Sequence, residues 1–385
     1  MFSRKSIKFI SMLLVVAFVF SFTGCKTASQ KEIKIGLNTE LTGGIPTVGN
    51  SCKNAAIFAV DEVNSNGGLE VNGQKYKIVL DIQDCEDKAE SAAAVAQKFA
   101  TDSSILAMIG PNASRNAIPA AAVAEASKLP MISPWSTNPE TTKGKKYVFR
   151  ACFIDSFQAS VDAKFALDQL KAKTAAVLYD ITDDAMVGQA EYFKKTFEEN
   201  GGQIVAYETS SKGDKDFTSQ LTKIVAKKPD VLFLPAMYTT APLEVQQARD
   251  LGYKGPILGT DGWESPEIIK IGGKYMEGTL FSTHYSPDIA TPEAQKFISN
   301  YKAKYGDLPD DVASLTYDAF GLLFQAIQSA GKLDRESIRN ALANITEYKG
   351  VTGTMQFKGT GDPIKSVVMI KIENGKFNFY AMAKP

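Results

Sequence analysis

Ile105-Leu106-Ala107-Met108-Ile109 is an unbroken apolar run, bounded by Asp102-Ser103 before it and Gly110-Pro111 after it. Five residues is strand length, and a run without polar alternation is what a parallel strand covered on both faces requires. Gly110-Pro111-Asn112-Ala113-Ser114 then turns the chain, residues 119–127 read as an Ala-rich helix, and residues 129–133 lead into another strand. A strand, a helix and a second buried strand in succession imply a parallel pair joined by a right-handed crossover.

The same unit repeats outward from this stretch. Residues 31–37 alternate as a strand, followed by a loop over residues 39–49 with Gly43, Gly44 and Pro46. Ala56, Ile57, Val60 and Val63 mark one face of a helix that Asn66-Gly67-Gly68 stops. Residues 77–82 and 90–100 are a further strand and helix. The alternation restarts with strands at 175–179, 203–207, 231–234 and 256–259, separated by helices at 187–199, 217–226 and 242–251. Long helices follow at 292–305 and 313–330, and the tail, 353–380, is β-rich. The expected fold class is α/β, with two doubly wound parallel-sheet domains. In such sheets ligands collect beyond the carboxyl ends of the strands, so the loops after Leu37, Ile109, Ile132, Tyr179, Leu234 and Gly259 are the place to look for a site.

Arg4, Lys5 and Lys8 mark the start of an apolar run from Ile7 to Phe20, which leads into Phe22-Thr23-Gly24-Cys25. The run has the length of a signal-peptide core and is short for a membrane span. Gly24-Cys25 resembles a bacterial lipobox, with Phe22 in place of the usual Leu, so residues 1–24 read as a lipoprotein signal peptide. On this reading Cys25 is the lipidated residue, and 25–31 are a tether holding an exported domain at a bacterial membrane without a spanning helix. A plain secretory signal is the alternative. Cys52, Cys85 and Cys152 leave either a Cys52–Cys85 disulfide or three free thiols.

With 43 basic and 43 acidic residues the formal net charge is zero. Removing a leader with three basic groups leaves −3, which argues against a nucleic-acid partner. No nucleophile elbow, P-loop or dinucleotide fingerprint is present, and His284 is the one histidine, read as a surface or hinge residue. The doublets Asp183-Asp184 and Asp310-Asp311 read as loop or helix-cap residues. No catalytic residues, metal site or cofactor are expected, and the chain is not read as an enzyme.

The strand-end loops carry another chemistry. Ser114 and Thr137 each offer a hydroxyl and an amide to an anion. Trp135 offers a carbonyl and an apolar face, Tyr238 an aromatic wall, and Asp261 a carboxylate from across the cleft. Ser136 and Asp184 join the candidate set as neighbours in the same loops. Neutral donors on one side and an acid on the other suit a zwitterion.

Ile33-Lys34-Ile35-Gly36 with Leu41-Thr42-Gly43, Ala59 to Asn64 with Gly67-Gly68, Ile109-Gly110-Pro111, Ile132-Ser133-Pro134 with Thr137-Asn138-Pro139, Val177 to Asp180, Gln247-Ala248-Arg249 and Asp261-Gly262-Trp263 occur in that order. In this the chain resembles the substrate-binding proteins of branched-chain amino-acid ABC transporters, the Leu/Ile/Val-binding type of the type I periplasmic binding fold. The resemblance implies that Ser114 and Thr137 hold a ligand carboxylate, that the Trp135 carbonyl accepts its ammonium, and that Asp261 pairs with that ammonium from the second domain. It implies hinge crossovers near Asp155, His284 and Lys358, hence one lobe of residues 32–154 plus 284–357 and another of 155–283 plus 358–385. It also implies a small-molecule amino-acid ligand, ABC permease subunits as partners, and a monomer. Ala185, Met237 and Val48 stand where relatives carry aromatics, and Trp135 is bulkier than the residue of leucine binders. A ligand-sensing receptor domain of the same fold, or a binder of an amide or aromatic acid, is the alternative.

Overall fold

The computed structural model describes residues 31–357 and 359–383. The chain divides into residues 1–31 and 32–385, and every described helix and strand lies in the second unit. The leader, the tether up to residue 30 with Cys25, and Lys358 lie outside the described residues.

Sixteen strands occur among the described residues: β1 (Glu32–Thr39), β2 (Leu69–Val71), β3 (Gln74–Asp84), β4 (Ile105–Ile109), β5 (Met131–Ser133), β6 (Val148–Arg150), β7 (Thr174–Asp180), β8 (Gln203–Ser210), β9 (Val231–Leu234), β10 (Ile257–Gly259), β11 (Leu280–Thr283), β12 (Glu347–Gly350), β13 (Gly353–Phe357), β14 (Pro363–Ile364), β15 (Val367–Glu373) and β16 (Lys376–Ala383). One sheet runs β2-β3-β1-β4-β5-β6 and a second β16-β15-β11-β10-β9-β7-β8, with β12-β13-β14 a small third sheet. The first sheet is parallel from β3 to β6, the second from β8 to β11, and antiparallel strands close one edge of each. The apolar run that became β4 is buried almost throughout, and every residue of β9 is buried. Two doubly wound parallel-sheet halves are therefore present, as the alternation of elements requires.

The chain passes from one sheet to the other between β6 and the helix Asp155–Asp168, and returns between β11 and the helix Pro292–Tyr305. It passes once more at residues 365–366, between β14 and β15. At the first two passages Phe153 and His284 stack, with ring centroids 3.7 Å apart.

Two helices begin earlier than the sequence pattern suggests. The helix expected from residue 119 starts at Ser114 and runs through Pro119. Its start is capped from a distance: the Glu40 carboxylate accepts the amides of Asn112 (3.1 Å) and Ala113 (3.0 Å), a partner that local sequence does not reveal. The helix Pro46–Ser65 takes up part of the expected 39–49 loop, with Pro46 opening its first turn, where the missing N–H costs nothing. The disulfide does not form: Cys52, Cys85 and Cys152 are free and buried. Cys52 packs in the core cluster of Ile35 and Leu37, and Cys85 in a different one with Phe99 and Met108. Burial pushes the Cys52 thiol up to about 11.

Candidate functional site

The loops after β4, β5, β9 and β10 meet between the two sheets. Asn112, Ala113, Ser114, Trp135 and Thr137 from the first half face Ala185, Met186, Gln189, Met237, Asp261 and Gly262 from the second around one small cavity. Its free volume is about 10 Å³, room for about one water molecule. Any larger ligand enters by separation of the two halves or by movement of the side chains between them.

On the first half, Ser114 sits in the first turn of its helix, among the amides that have no acceptor within the helix. Its hydroxyl is held from behind, 3.0 Å from the Ser136 hydroxyl and accepting the Asn138 amide at 3.2 Å. Ser136 is buried, does not line the cavity, and continues the chain to the Thr141 hydroxyl at 2.7 Å. The carbonyl of Thr137 accepts the Asp155 amide at 2.8 Å. The Trp135 ring forms a wall, fixed by its indole N–H donating to Asp311 Oδ2 at 2.8 Å.

Opposite, the Asp261 carboxylate is 3 % exposed. Its Oδ1 accepts from Gln158 Nε2 at 3.0 Å and Gln189 Nε2 at 3.2 Å, and its Oδ2 lies 3.3 Å from His284 Nε2. Burial pushes His284 down to about 4, so the ring is neutral near pH 7. The surroundings are rich in acids and acceptors. Asp155 and Asp162 are buried carboxyls held well above the usual carboxylate range by desolvation, with the Asp261 charge adding to it. Asp155 Oδ2, Asp162 Oδ1 and Gln189 Oε1 find no donor. A buried carboxylate met only by amides and a neutral imidazole lacks a cation, and an ammonium with three N–H donors matches it.

Ser114, Trp135, Thr137 and Asp261 thus come together as the sequence indicates. Tyr238 does not line the cavity: its amide donates to the Gly262 carbonyl at 2.7 Å, and this turn presents Met237 instead. Asp184 also stays out of the lining, accepting at its carbonyl from Asn138 Nδ2 at 2.8 Å. Its predecessor Asp183 caps the helix Asp184–Glu199 and pairs with Arg115 of the first half. His284 is fully buried and holds the site's acid, so the surface alternative for it is excluded. Gln158, Gln189 and Met186 are participants that the sequence reading did not single out. Among the described residues no group of three His, Cys, Asp or Glu side chains could hold a metal ion, and no helix is long and apolar enough to cross a membrane.

Comparison with known proteins converges on one family. Residues 32–376 match the family described as periplasmic binding protein. The Leu/Ile/Val-binding protein BraC3 of Rhizobium johnstonii is 31 % identical over 377 residues, covering 96 % of this chain and 98 % of that protein. The crystal structure of the leucine-binding protein LivK of Thermotoga maritima superposes with a TM-score of 0.87 at 38 % identity, over 92 % of this chain and 99 % of that one. The branched-chain amino-acid transporter substrate-binding protein LivJ of Streptococcus pneumoniae, solved with isoleucine, gives 0.86 at 32 % identity, over 92 % and 100 %. The chain belongs to the periplasmic binding protein family, whose members are extracytoplasmic solute-binding proteins, not enzymes.

Proposed function

We propose that this chain captures an amino acid with an apolar side chain between its two lobes and delivers it to the membrane subunits of an ABC transporter. The observation that carries this reading is the convergence on one cavity of hydroxyl and amide donors from one lobe and an unpaired buried carboxylate from the other. The names of BraC3, LivK and LivJ, which concern leucine, isoleucine and valine, support it.

The ligand carboxylate docks first on Ser114 and Thr137, where hydroxyls and helix-start amides are pre-oriented. Its ammonium then meets Asp261 as the lobes close by hinge motion at the three passages. Closure strips water from both charges, and the ammonium offsets a desolvation cost of several kcal/mol that Asp261 otherwise bears alone. Trp135, Ala185, Met186 and Met237 receive the apolar side chain. Lipidation at Cys25 and action as a monomer complete the proposal: an anchored receptor diffuses only over the membrane that holds its transporter.

The test is calorimetry on chain stripped of bound ligand by unfolding and refolding, titrated with Leu, Ile, Val, Ala, Thr and Phe. Saturable one-to-one binding of at least one aliphatic amino acid is expected. If none of the six binds, the amino-acid reading is overturned.

A further inference from the structure

Among the described residues, Met237 is the one residue common to the linings of the recognition cavity and of the cleft beside it. The former is the small cavity of Ser114, Thr137 and Asp261. The latter has a volume of about 250 Å³ and lies between the lobes, with Ile45 and Leu243 among its apolar walls and Arg115, Asp183 and Lys212 along its rim. Those charges are already engaged. Asp87 accepts from Arg115 Nε at 2.9 Å and pairs with Lys212 at 3.0 Å, and Arg115 pairs with Asp183. Asp180, Asp214 and Lys215 complete the charged part of the lining, and Ile45 and Leu243 offer the apolar surface that an arriving side chain would meet.

The Met237 backbone is fixed, its carbonyl accepting the amides of Thr240 and Ala241, each at 2.9 Å. Its side chain is only partly buried, whereas Ala236 and Tyr238 beside it are buried. An unbranched thioether with three rotatable bonds, at the edge of a cavity, moves at little cost. The recognition cavity cannot take a long side chain while Met237 stands in place, and the space for one begins directly behind it.

Resting on the amino-acid reading, we propose that Met237 is a movable partition that sets how long a ligand side chain the protein accepts. With it rotated aside the two cavities join, and unbranched apolar side chains longer than that of leucine run from Trp135 past residue 237 to Ile45 and Leu243. The ligand class widens accordingly to linear α-amino acids such as methionine, norleucine and 2-aminooctanoate.

The experiment is calorimetry on the full chain, refolded to strip ligand, with leucine, norleucine and 2-aminooctanoate. Wild type is compared with Met237→Ala, Met237→Phe and Leu243→Trp, each first checked by thermal melting. In Met237→Ala the preference for 2-aminooctanoate over leucine rises about ten-fold, the worth of two more buried methylenes. In Met237→Phe and Leu243→Trp, which fill the passage and the far cavity, it falls by about the same factor. Met237→Leu, shorter than methionine, replaces Met237→Ala if the latter fails to fold, with the same direction. If leucine binds but the preference stays the same in every folded variant, the partition is overturned and the amino-acid reading stands. If no amino acid binds wild type, both fall.

Discussion

Asp261 shows how one residue is kept ready for a ligand. Its two oxygens are met by the Gln158 and Gln189 amides and by His284, none of which carries charge near pH 7. The partners aim the carboxylate without neutralising it. Asp261→Asn keeps the shape and removes the charge, so it separates recognition of an ammonium from packing. Losing one member of a buried, hydrogen-bonded charge pair costs about 2–5 kcal/mol, so leucine affinity is expected to fall by a factor of about 30 or more. Equal affinity in the two proteins by calorimetry would remove Asp261 from the site. Ser114, Thr137 and Asp261 were legible in the sequence because each closes a strand of a parallel sheet, where the fold itself directs attention. The supporting glutamines were not, because an amide on a helix interior has no pattern of its own. The choice between Met237 and Tyr238 was undecidable from periodicity: both sit in a turn after β9. The Tyr238 amide, bonded to the Gly262 carbonyl from the next strand-end loop, determines which side chain faces inward.

At the scale of elements, the site depends on how the β4 turn delivers the Ser114 helix. Gly110 has φ +83°, and a Cβ there would lie 2.1 Å from the Asn38 carbonyl oxygen of β1. That oxygen is backbone and cannot yield, so Gly110→Ala must displace either β1 or the turn that carries Ser114. The expected loss is about 2–4 kcal/mol, read by urea unfolding, together with weaker ligand binding. Gly73→Ala is the control: φ is +76°, but nothing lies within 4 Å of the added Cβ, leaving only the left-handed penalty of about 1–2 kcal/mol. Equal losses at the two positions would refute the close-approach argument. The same scale explains which elements the sequence hid. The helix Asp155–Asp168 turns Asp155, Gln158 and Asp162 inward, all fully buried. Polar residues occupy positions where an amphipathic pattern expects apolar ones, and the periodic signal is lost. The strands β4 and β9 were readable for the opposite reason: packing on both faces writes an uninterrupted apolar run.

For the molecule as a whole, the contacts across the lobes are unequal in kind. At the cleft mouth Arg115 and Asp87 of one lobe pair with Asp183 and Lys212 of the other. Behind Trp135, by contrast, acid meets acid. Glu264, which follows β10, accepts the hydroxyl of Thr283, while the Asp311 carboxyl accepts the indole of Trp135 from the first lobe. Asp310, Asp261 and Tyr285 surround the pair and add no positive charge. Burial, reinforced by these neighbouring acids, holds both Glu264 and Asp311 well above the usual carboxylate range. A carboxyl that titrates higher when folded keeps its proton in the native state after the unfolded chain has released it. Stability from such a group is greatest below its ordinary value near 4 and falls as pH rises toward the folded value, by about 1.4 kcal/mol per pH unit. His284 acts in the opposite sense, losing stability as pH falls from about 6.5 to about 4, and the buried Lys365, pushed down to about 8, contributes only above that. Glu244, pushed up to about 8 by burial, acts in the same sense as Glu264 and Asp311. Asp311→Asn imitates the protonated acid and keeps an oxygen for the Trp135 indole, so the fold is retained. The remaining groups are common to both proteins, so the difference in their urea unfolding free energies reports Asp311: as pH rises above about 4 the wild type should lose stability relative to the variant, by up to about 1.4 kcal/mol per pH unit. Parallel profiles from about pH 4 upward would mean that Asp311 ionises in the folded protein as it does in the unfolded chain, and that the lobes close over a charge which must find its compensation elsewhere.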